Sequence, residues 1–194
     1  GEVHNSSSSS LKYMEQVWEK AESLGMNCLL LSVAWELVEP EEGCFDFSLV
    51  QGLIEQARAH GMKIAFLWFG AWTNAQCYYA PAWVKTDPRR FRRAEIEKGK
   101  GFLRMKDFYD MPYTSLSYLC EETMRADARA FGRLMAFIRE IDGNEHTVVS
   151  MQIENETGVM GAAREHSDEA DTLFSSPVPD DFVRYMRSHV NTMT

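Results

Sequence analysis

The sequence predicts a parallel α/β fold, and three observations lead to that prediction. Three short, nearly continuous apolar runs are typical of strands that are covered on both faces. Segments with helical periodicity separate these runs, and glycines mark two of the helix-to-strand turns, in the phrases SLGMN and AHGMK. Repeated strand–helix–strand units of this kind favour a parallel sheet with helical crossovers.

The predicted strands lie at about residues 27–36, 63–72 and 147–156, with the sequences NCLLLSVAWE, KIAFLWFGAW and TVVSMQIENE. None of them alternates strictly between apolar and polar residues, so both faces are expected to be covered. The loops that follow the strands are long, and the largest extend over about residues 71–120 and 157–179. Long loops at the carboxyl ends of parallel strands are where α/β barrels place their active sites.

Apolar residues recur at helical spacing in four further segments. These predicted helices are Leu11–Leu24, Leu49–His60, Glu122–Ile141 and Val178–Arg187. Ser9 or Ser10 is expected to cap the first helix and Ser48 the second, because a serine oxygen can accept a free amide of the first turn. Strands and helices therefore alternate along the chain.

The composition describes a folded domain and excludes several other classes of protein. The chain has 194 residues, a formal net charge of −9, 45% hydrophobic residues and 12% aromatic residues. This supply of apolar side chains argues against intrinsic disorder and against a small disulfide scaffold. No apolar run approaches the roughly 18 residues of a membrane span. The acidic balance disfavours general nucleic-acid binding.

One segment departs from the acidic balance. Lys85–Lys106 contains nine Lys or Arg residues and three acidic ones. A nucleic-acid patch is one interpretation. A solvated protein surface is the favoured alternative, because the Gly and aromatic motifs of an RNA-binding sheet are absent.

Cysteine spacing gives no indication of a metal site. The four cysteines lie at positions 28, 44, 77 and 120 and form no C-x-x-C pair, so a zinc site is not expected. The first ten residues show no pattern of a signal peptide. Cytoplasm, periplasm and secretion all stay open as the compartment of a soluble protein.

The strongest candidate for chemistry is the end of the third predicted strand. The segment MQIENETG places Glu154 and Glu156 on either side of Asn155, directly after an apolar run. A carboxylic acid in partly apolar surroundings has a raised pKa, so it can protonate a leaving-group oxygen and later deprotonate water. An adjacent amide can bind a sugar hydroxyl. The alternative is that both glutamates are surface charges at a strand end.

Tryptophans at strand ends are a second candidate feature, because a flat aromatic face suits the apolar face of a pyranose ring. Trp35 and Trp72 lie where loops begin, and for them ligand contact and core packing are equally open. For Trp18 and Trp68, core packing is favoured. Glu36 lies at the end of the first predicted strand and is expected either to bind sugar hydroxyls or to cap a turn.

His4 and Asn5 precede a run of five serines. A serine run is usual in flexible linkers, but this one leads directly into a predicted helix. His4 and Asn5 are therefore expected to lie at the end of a further strand whose body is not part of the sequence.

Taken together, three motifs resemble glycoside hydrolase family 35, in particular its bacterial β-galactosidase-type members, which share features with family 42. The motifs are GEVHN at residues 1–5, WExxEPxxGxFDF at residues 35–47 and QIENExG at residues 152–158. The combination is specific, whereas the Asn–Glu pair alone marks only the wider clan A of retaining glycosidases. The resemblance spans nearly the whole chain.

The resemblance implies a (β/α)8 barrel, of which this chain would supply the first half, from the end of strand 1 through strand 4 and the following helix. It implies a retaining β-glycoside hydrolase, a β-galactosidase, with Glu156 as the general acid/base and with neither metal nor organic cofactor. The family's nucleophile, a glutamate after strand 7, has no counterpart here, so the chain alone is expected to be inactive. With the aromatic argument above, the expected substrate contacts are His4, Asn5, Trp35, Glu36, Trp72, Asn74 and Asn155.

The expected partner is therefore a carbohydrate, a β-galactoside or a related β-glycoside, and neither nucleic acid nor a membrane is expected. One alternative is a carbohydrate-binding or scaffold protein without catalysis. Another is a glycosidase with a different β-glycoside specificity, because side-chain placement decides which hydroxyl configuration is bound. A half-barrel would leave open strand edges, so the isolated chain is expected to aggregate or to form a homo-oligomer.

Overall fold

The computed structural model of the chain describes residues 1–73, 77–95, 115–158 and 163–190. The strands in these ranges are β1 (Cys28–Ala34), β2 (Lys63–Thr73) and β3 (Val148–Asn155). The α-helices are α1 (Leu11–Ser23), α2 (Trp35–Val38), α3 (Ser48–Ala59), α4 (Ala82–Lys85), α5 (Glu121–Asp142), α6 (Asp168–Ser175) and α7 (Asp180–His189). A short 3-10 helix at Ser7–Ser9 precedes α1.

The three strands form one parallel sheet in the order β1, β2, β3. Helices α2 and α3 connect β1 to β2, and helices α4 and α5 lie between β2 and β3. The predicted parallel α/β fold is therefore confirmed, in a form consistent with part of a barrel.

A further extended segment pairs with the outer edge of β1. Glu2 forms a parallel bridge with Leu30, and the amide of Val3 donates to the carbonyl of Leu30 at 3.1 Å. His4 and Asn5 follow this segment directly. They therefore lie near the carboxyl edge of the sheet, as expected for the end of an additional parallel strand.

The hydrophobic core lies between the sheet and helices α1, α3 and α5. Leu31, Phe66 and Trp68 project from β1 and β2 and are fully buried. Trp68 packs against Phe131 of α5, with 5.9 Å between the ring centroids, and Trp18 of α1 is also fully buried. Each such side chain contributes on the order of 2 kcal/mol through the apolar surface that it buries.

The strand ends differ from the predicted ones for local reasons. β1 ends at Ala34, because Trp35–Val38 turn into the short helix α2. β3 ends at Asn155, because Glu156 has a φ of 49° and leaves the extended conformation. β2 instead continues to Thr73, beyond the predicted start of the long loop.

Both long loops contain a helix that was not predicted. Helix α4 lies in the first loop and α6 in the second, where Ser167 Oγ accepts the amide of Ala170 at 3.2 Å. Residues 74–76, 96–114 and 159–162 of these loops lie outside the described residues.

The predicted helix caps agree with the structure in one case and fail in the other. Ser10 caps α1, since its Oγ accepts the amide of Tyr13 at 3.2 Å. Ser48 is instead the first residue of α3, and its own amide donates to Asp46 Oδ1 at 2.8 Å. The carboxylate two residues earlier therefore replaces the predicted serine cap.

The described part of the basic segment forms ion pairs with acidic residues from other elements. Arg90 makes a two-pronged contact with Glu42, at 2.9 Å for each hydrogen bond. Arg92 pairs with Glu169 of α6 at 2.7 Å. Arg90 and Arg92 thus join the segment to other parts of the protein surface, and the choice of a solvated surface over a nucleic-acid patch stays a prediction. Four further cations of the segment lie outside the described residues, namely Lys98, Lys100, Arg104 and Lys106.

Candidate active site

A bulge at the carboxyl end of β2 lies at the centre of the candidate site. Trp68 pairs with Ile153 of β3, and the next pair is Thr73 with Asn155. Four residues of β2 thus lie opposite the single residue Glu154. Backbone amides in such a bulge lose their partners in the ladder and need other acceptors.

The carboxylate of Glu154 supplies those acceptors. Its Oε1 accepts the amide of Ala71 at 3.1 Å, and its Oε2 accepts the amide of Trp72 at 2.9 Å. Glu154 is 8% exposed and has a φ of 61°, which costs a non-glycine residue on the order of 1 kcal/mol. The interpretation of Glu154 as a surface charge is therefore wrong, because this side chain joins two strand ends inside the protein.

A second buried carboxyl group faces Glu154 from helix α5. Asp127 is also 8% exposed, and its Oδ1 accepts the indole N–H of Trp68 at 2.8 Å. The two carboxyl groups lie close together, since a Cβ on Gly70 would be in contact both with Asp127 Oδ1 and with Glu154 Oε1. Burial, and then the neighbouring Asp127, raise the pKa of Glu154 far above its ordinary value.

Gly70 allows this carboxyl pair to lie against the strand. A Cβ at position 70 would collide with Asp127 Oδ1, with Glu154 Oε1 and with the indole nitrogen of Trp68. The glycine is therefore required by the close approach of three polar atoms.

Glu156, the predicted acid/base, follows the buried pair by two residues. It is exposed and has a φ of 49°. The preceding Asn155 is half-buried, and its Oδ1 accepts Gln152 Nε2 at 2.9 Å. Gln152 Nε2 also donates to the carbonyl of Glu154 at 3.0 Å. The end of β3 is therefore a hydrogen-bonded unit that ends in an accessible carboxylate.

A cavity of about 120 Å³ lies at the carboxyl end of β1. Its lining is formed by Asn5, Ser6, Ser8, Ser9, Ser32, Ala34, Glu36, Leu37, Leu49 and Tyr79. Because the carboxyl ends of parallel strands meet at one edge of a sheet, this cavity and Glu156 share that edge. The structure thus brings two predicted binding residues, Asn5 and Glu36, into one cavity.

Glu36 is held in place by groups from the loop after β2. Lys85 Nζ donates to Glu36 Oε2 at 2.9 Å, and the amide of Glu36 donates to the carbonyl of Tyr79 at 2.9 Å. The hydroxyl of Tyr79 lies 3.3 Å from Oγ of Ser6, and both residues line the cavity. The cavity therefore presents a carboxylate, an amide and hydroxyls, which are the groups that bind polyhydroxylated ligands.

Two tryptophans predicted as ligand contacts lie in different environments. Trp72 is half-buried, donates its indole N–H to the carbonyl of Leu116 at 2.9 Å, and stacks on Tyr118. Trp35 is 0% exposed and donates its indole N–H to Glu39 Oε2 at 2.8 Å. Trp35 is therefore a core residue, and its predicted ligand contact is wrong because it has no surface to offer. For Trp72 the role stays a prediction.

The two other predicted substrate contacts, His4 and Asn74, are not among the described residues that line the cavity. His4 is exposed and does not line the cavity beside Asn5. Asn74 lies outside the described residues.

Asp127 and Tyr79 belong to the site but did not emerge from the sequence motifs. The sequence contains one indication that Asp127 is unusual. It shares the buried face of α5 with Ala130 and Leu134, where a charged side chain is rare. The sequence contains no comparable indication for Tyr79, since this residue lies in a loop without periodicity.

Within the described ranges, no group of three or more His, Cys, Asp or Glu side chains is arranged to hold a metal ion. In the same ranges, no helix has the length and apolarity needed to cross a membrane.

Comparison with known proteins assigns the family. The model of glycoside hydrolase family 42, described as beta-galactosidase, matches residues 8–189. The polyextremophilic beta-galactosidase of the Antarctic haloarchaeon Halorubrum lacusprofundi is 20% identical with a TM-score of 0.59, over 82% of this chain and 21% of that chain. A family 39 glycoside hydrolase from the gut symbiont Bacteroides cellulosilyticus WH2 is 17% identical with a TM-score of 0.41, over 78% and 23%. No curated protein matches the chain.

The chain spans less than a quarter of either solved structure. At 20% identity, the haloarchaeal structure shows a common fold and nothing further. The family match agrees with the wider clan of glycosidases that the motifs indicated, and it is to family 42, while membership of family 35 is not shown. Since the match covers nearly every residue, the chain belongs to glycoside hydrolase family 42, the beta-galactosidase family.

Proposed function

We propose that this chain provides the acid/base part of the active site of a retaining β-glycoside hydrolase that acts on β-galactosides. The chain belongs to a glycosidase family, and within that family one observation supports the proposal. Glu156 is an accessible carboxylate at the carboxyl end of β3, on the same sheet edge as the cavity that holds Asn5 and Glu36.

In the first step, the carboxylic acid of Glu156 donates its proton to the glycosidic oxygen while the bond from that oxygen to the anomeric carbon breaks. A second carboxylate attacks the anomeric carbon and forms a glycosyl ester. In the second step, Glu156 takes a proton from water while the water oxygen attacks the anomeric carbon and displaces the second carboxylate. Each cycle returns the proton to Glu156.

The second carboxylate is proposed to come from a later strand of a larger (β/α)8 barrel, of which this chain is the first half. The parallel sheet with long loops after its strands supports this arrangement. Glu154 is unsuited to be the nucleophile, because both of its oxygens accept backbone amides and its carboxyl group contacts Asp127.

Substrate binding is proposed for Asn155, Glu36 and Asn5, which would bind sugar hydroxyls, and for the ring of Trp72. His4 and Asn74 stay in this set as predictions from the motifs alone. The cavity of about 120 Å³ is smaller than the roughly 300–1,000 Å³ of typical ligand pockets. It would therefore hold one edge of a sugar ring, and the rest of the barrel would enclose the remainder.

The acid/base role is tested in the polypeptide that carries the complete barrel. Glu156→Gln is expected to lower hydrolysis of a nitrophenyl β-galactoside by on the order of 10²- to 10⁴-fold. Azide should restore turnover of a dinitrophenyl galactoside, because this leaving group departs without protonation and azide needs no general base. Glu19→Gln, at an exposed position of α1, is the control. Full activity of Glu156→Gln would disprove the role.

The need for a second carboxylate is tested with the 194-residue chain alone, which is expected to hydrolyse no chromogenic β-galactoside. Turnover that disappears in Glu156→Gln would show that the nucleophile is already present. Binding of galactose by the complete polypeptide without hydrolysis would favour the non-catalytic alternative, and faster hydrolysis of a glucoside or mannoside would favour another specificity.

A further inference from the structure

We propose that Glu154 and Asp127 share one proton and together act as positioning residues, which hold Asn155 and Glu156 in place at the end of β3. The role toward Glu156 rests on the proposed function, whereas the shared proton does not depend on it.

The hydrogen bonds around the pair leave room for one proton. An ionised carboxylate can only accept hydrogen bonds, so two ionised carboxylates cannot bond to each other. The amides of Ala71 and Trp72 point at Glu154, and the indole of Trp68 points at Asp127. A proton on one of the two carboxyl groups turns the repulsion between their neighbouring buried oxygens into a hydrogen bond.

No described cation compensates a second negative charge at this place. β2 contributes only Trp68, Gly70, Ala71 and Trp72 here, none of which is titratable. The neighbouring arginines of α5 are engaged elsewhere, Arg125 with Glu121 and Arg129 with Glu39. Burying two unpaired charges this close together is far more costly than keeping one proton.

The carboxyl pair of Glu154 and Asp127 also fixes the backbone conformation at the end of β3. Glu154 holds the bulge of β2 through two amides, and its own φ of 61° is left-handed backbone at the end of β3. Asn155 lies between this residue and Glu156, which has a φ of 49°. Two left-handed residues in so short a segment persist only when contacts fix them, and the carboxyl pair supplies those contacts.

Asp127→Asn is the conservative variant for a test. Its amide oxygen would still accept the indole of Trp68, and its amide N–H would donate to an ionised Glu154, so every hydrogen bond is kept without a shared proton. Glu154→Gln is the disruptive variant, because Ala71 and Trp72 donate to two different oxygens of Glu154, and glutamine has an NH2 group in place of one of them.

Infrared spectroscopy of the 194-residue chain tests the proton without any glycoside. We expect a carbonyl band of a protonated carboxylic acid at neutral pH, and we expect both Asp127→Asn and Glu154→Gln to remove it. Asp142→Asn is the control and should leave the band unchanged, because the amide of Val148 and the Arg58 guanidinium keep Asp142 ionised. Absence of the band in the unaltered chain, or its persistence in both variants, would overturn the proposal.

Kinetics of the complete barrel test the positioning role. Glu154→Gln is expected to lower kcat on the order of 10²-fold with little change in KM, since a small displacement of a catalytic group has an effect of this size. Asp127→Asn should keep kcat near that of the unaltered enzyme at neutral pH and should extend activity to more alkaline pH. Equal losses in the two variants would reject the positioning role. An unaltered rate in Glu156→Gln would reject the proposed function and leave the infrared result standing.

Discussion

Glu154 and Asp142 are buried acidic side chains whose neighbours shift their pKa values in opposite directions. For Glu154, burial and then Asp127 raise the pKa. For Asp142, burial acts in the same direction, but the amide of Val148, Arg58 and Thr147 outweigh it and lower the pKa. Burial raises the pKa of both groups, and the neighbouring groups decide whether that rise is kept, as for Glu154, or reversed, as for Asp142.

The two residues should contribute to stability at opposite ends of the pH scale. Glu154 has a raised pKa, so its contribution is complete in acid and is lost as the pH rises toward the folded-state pKa. Asp142 has a lowered pKa, so its contribution is present above the ordinary value for Asp and is lost as the pH falls. Between the unfolded-state and folded-state pKa values of such a group, the free energy of unfolding changes by up to about 1.4 kcal/mol per pH unit.

Gly70→Ala tests the close approach at the carboxyl pair. The added Cβ would collide with oxygens of Asp127 and Glu154, so we expect a loss of about 1–3 kcal/mol in the free energy of unfolding in urea. Gly132→Ala is a matched control, because a Cβ at this position in α5 meets nothing within 4 Å. It should stabilise the chain by up to about 1 kcal/mol. Equal stabilities of the two variants would contradict the proposed geometry.

Among the elements, helix α5 joins three parts of the molecule. Asp127 reaches the bulge of β2, Arg129 reaches Glu39 in the loop after α2, and Asp142 accepts the amide of Val148 at the start of β3. Glu39 is 0% exposed and also accepts the indole of Trp35. The helix therefore fixes the loops around the candidate site as well as covering the sheet.

Two arginines one turn apart on α5 allow this role to be measured. Arg129 and Arg125 form ion pairs of similar length, 2.8 Å and 2.7 Å, but the partner of Arg129 is buried and the partner of Arg125 is exposed. Arg129→Ala should lower the free energy of unfolding by about 2 kcal/mol, because it leaves the charge of Glu39 buried and unpaired. Arg125→Ala should lower the free energy of unfolding by less than about 0.5 kcal/mol. Equal losses of unfolding free energy for the two variants, measured in urea, would show that burial of Glu39 does not strengthen its ion pair with Arg129.

For the whole molecule, several apolar side chains lack a covering element in the described structure. Val149 and Ile153 of β3 are exposed, and β3 pairs only with β2 in the described ranges. Phe182 and Tyr185 are exposed on α7, which has no buried residue. A free strand edge beside apolar side chains favours association with another chain.

The isolated chain is therefore expected to self-associate, and Ile153→Lys is expected to reduce the apparent mass in light scattering. Leu24→Lys is the control, because Leu24 is 64% exposed and Ile153 is 65% exposed, and Leu24 lies at the end of α1, away from the strand edge. A monodisperse monomer of the unaltered chain with cooperative melting would contradict the prediction.

Local patterns were sufficient to predict the order of the three strands and of helices α1, α3, α5 and α7, but not the shorter helices α2, α4 and α6. The resemblance of a local motif to a known family is what drew attention to Glu156. Apolar runs, helical periodicity and glycine turns are properties of neighbouring residues, so they can be recognised in the sequence. The motif around Asn155 was informative for the same reason, because its residues are adjacent.

Contacts between distant residues decided the rest. Trp68 and Asp127 are 59 positions apart, and Glu39 and Arg129 are 90 positions apart. The bulge of β2 became evident only against β3, and it turned Glu154 from an apparent surface charge into a buried partner of Asp127. Trp35 moved from a candidate ligand contact to the core because Glu39 binds its indole. Burial and the charge of a carboxyl group depend on which groups the fold brings near, and adjacency in sequence does not encode these neighbours.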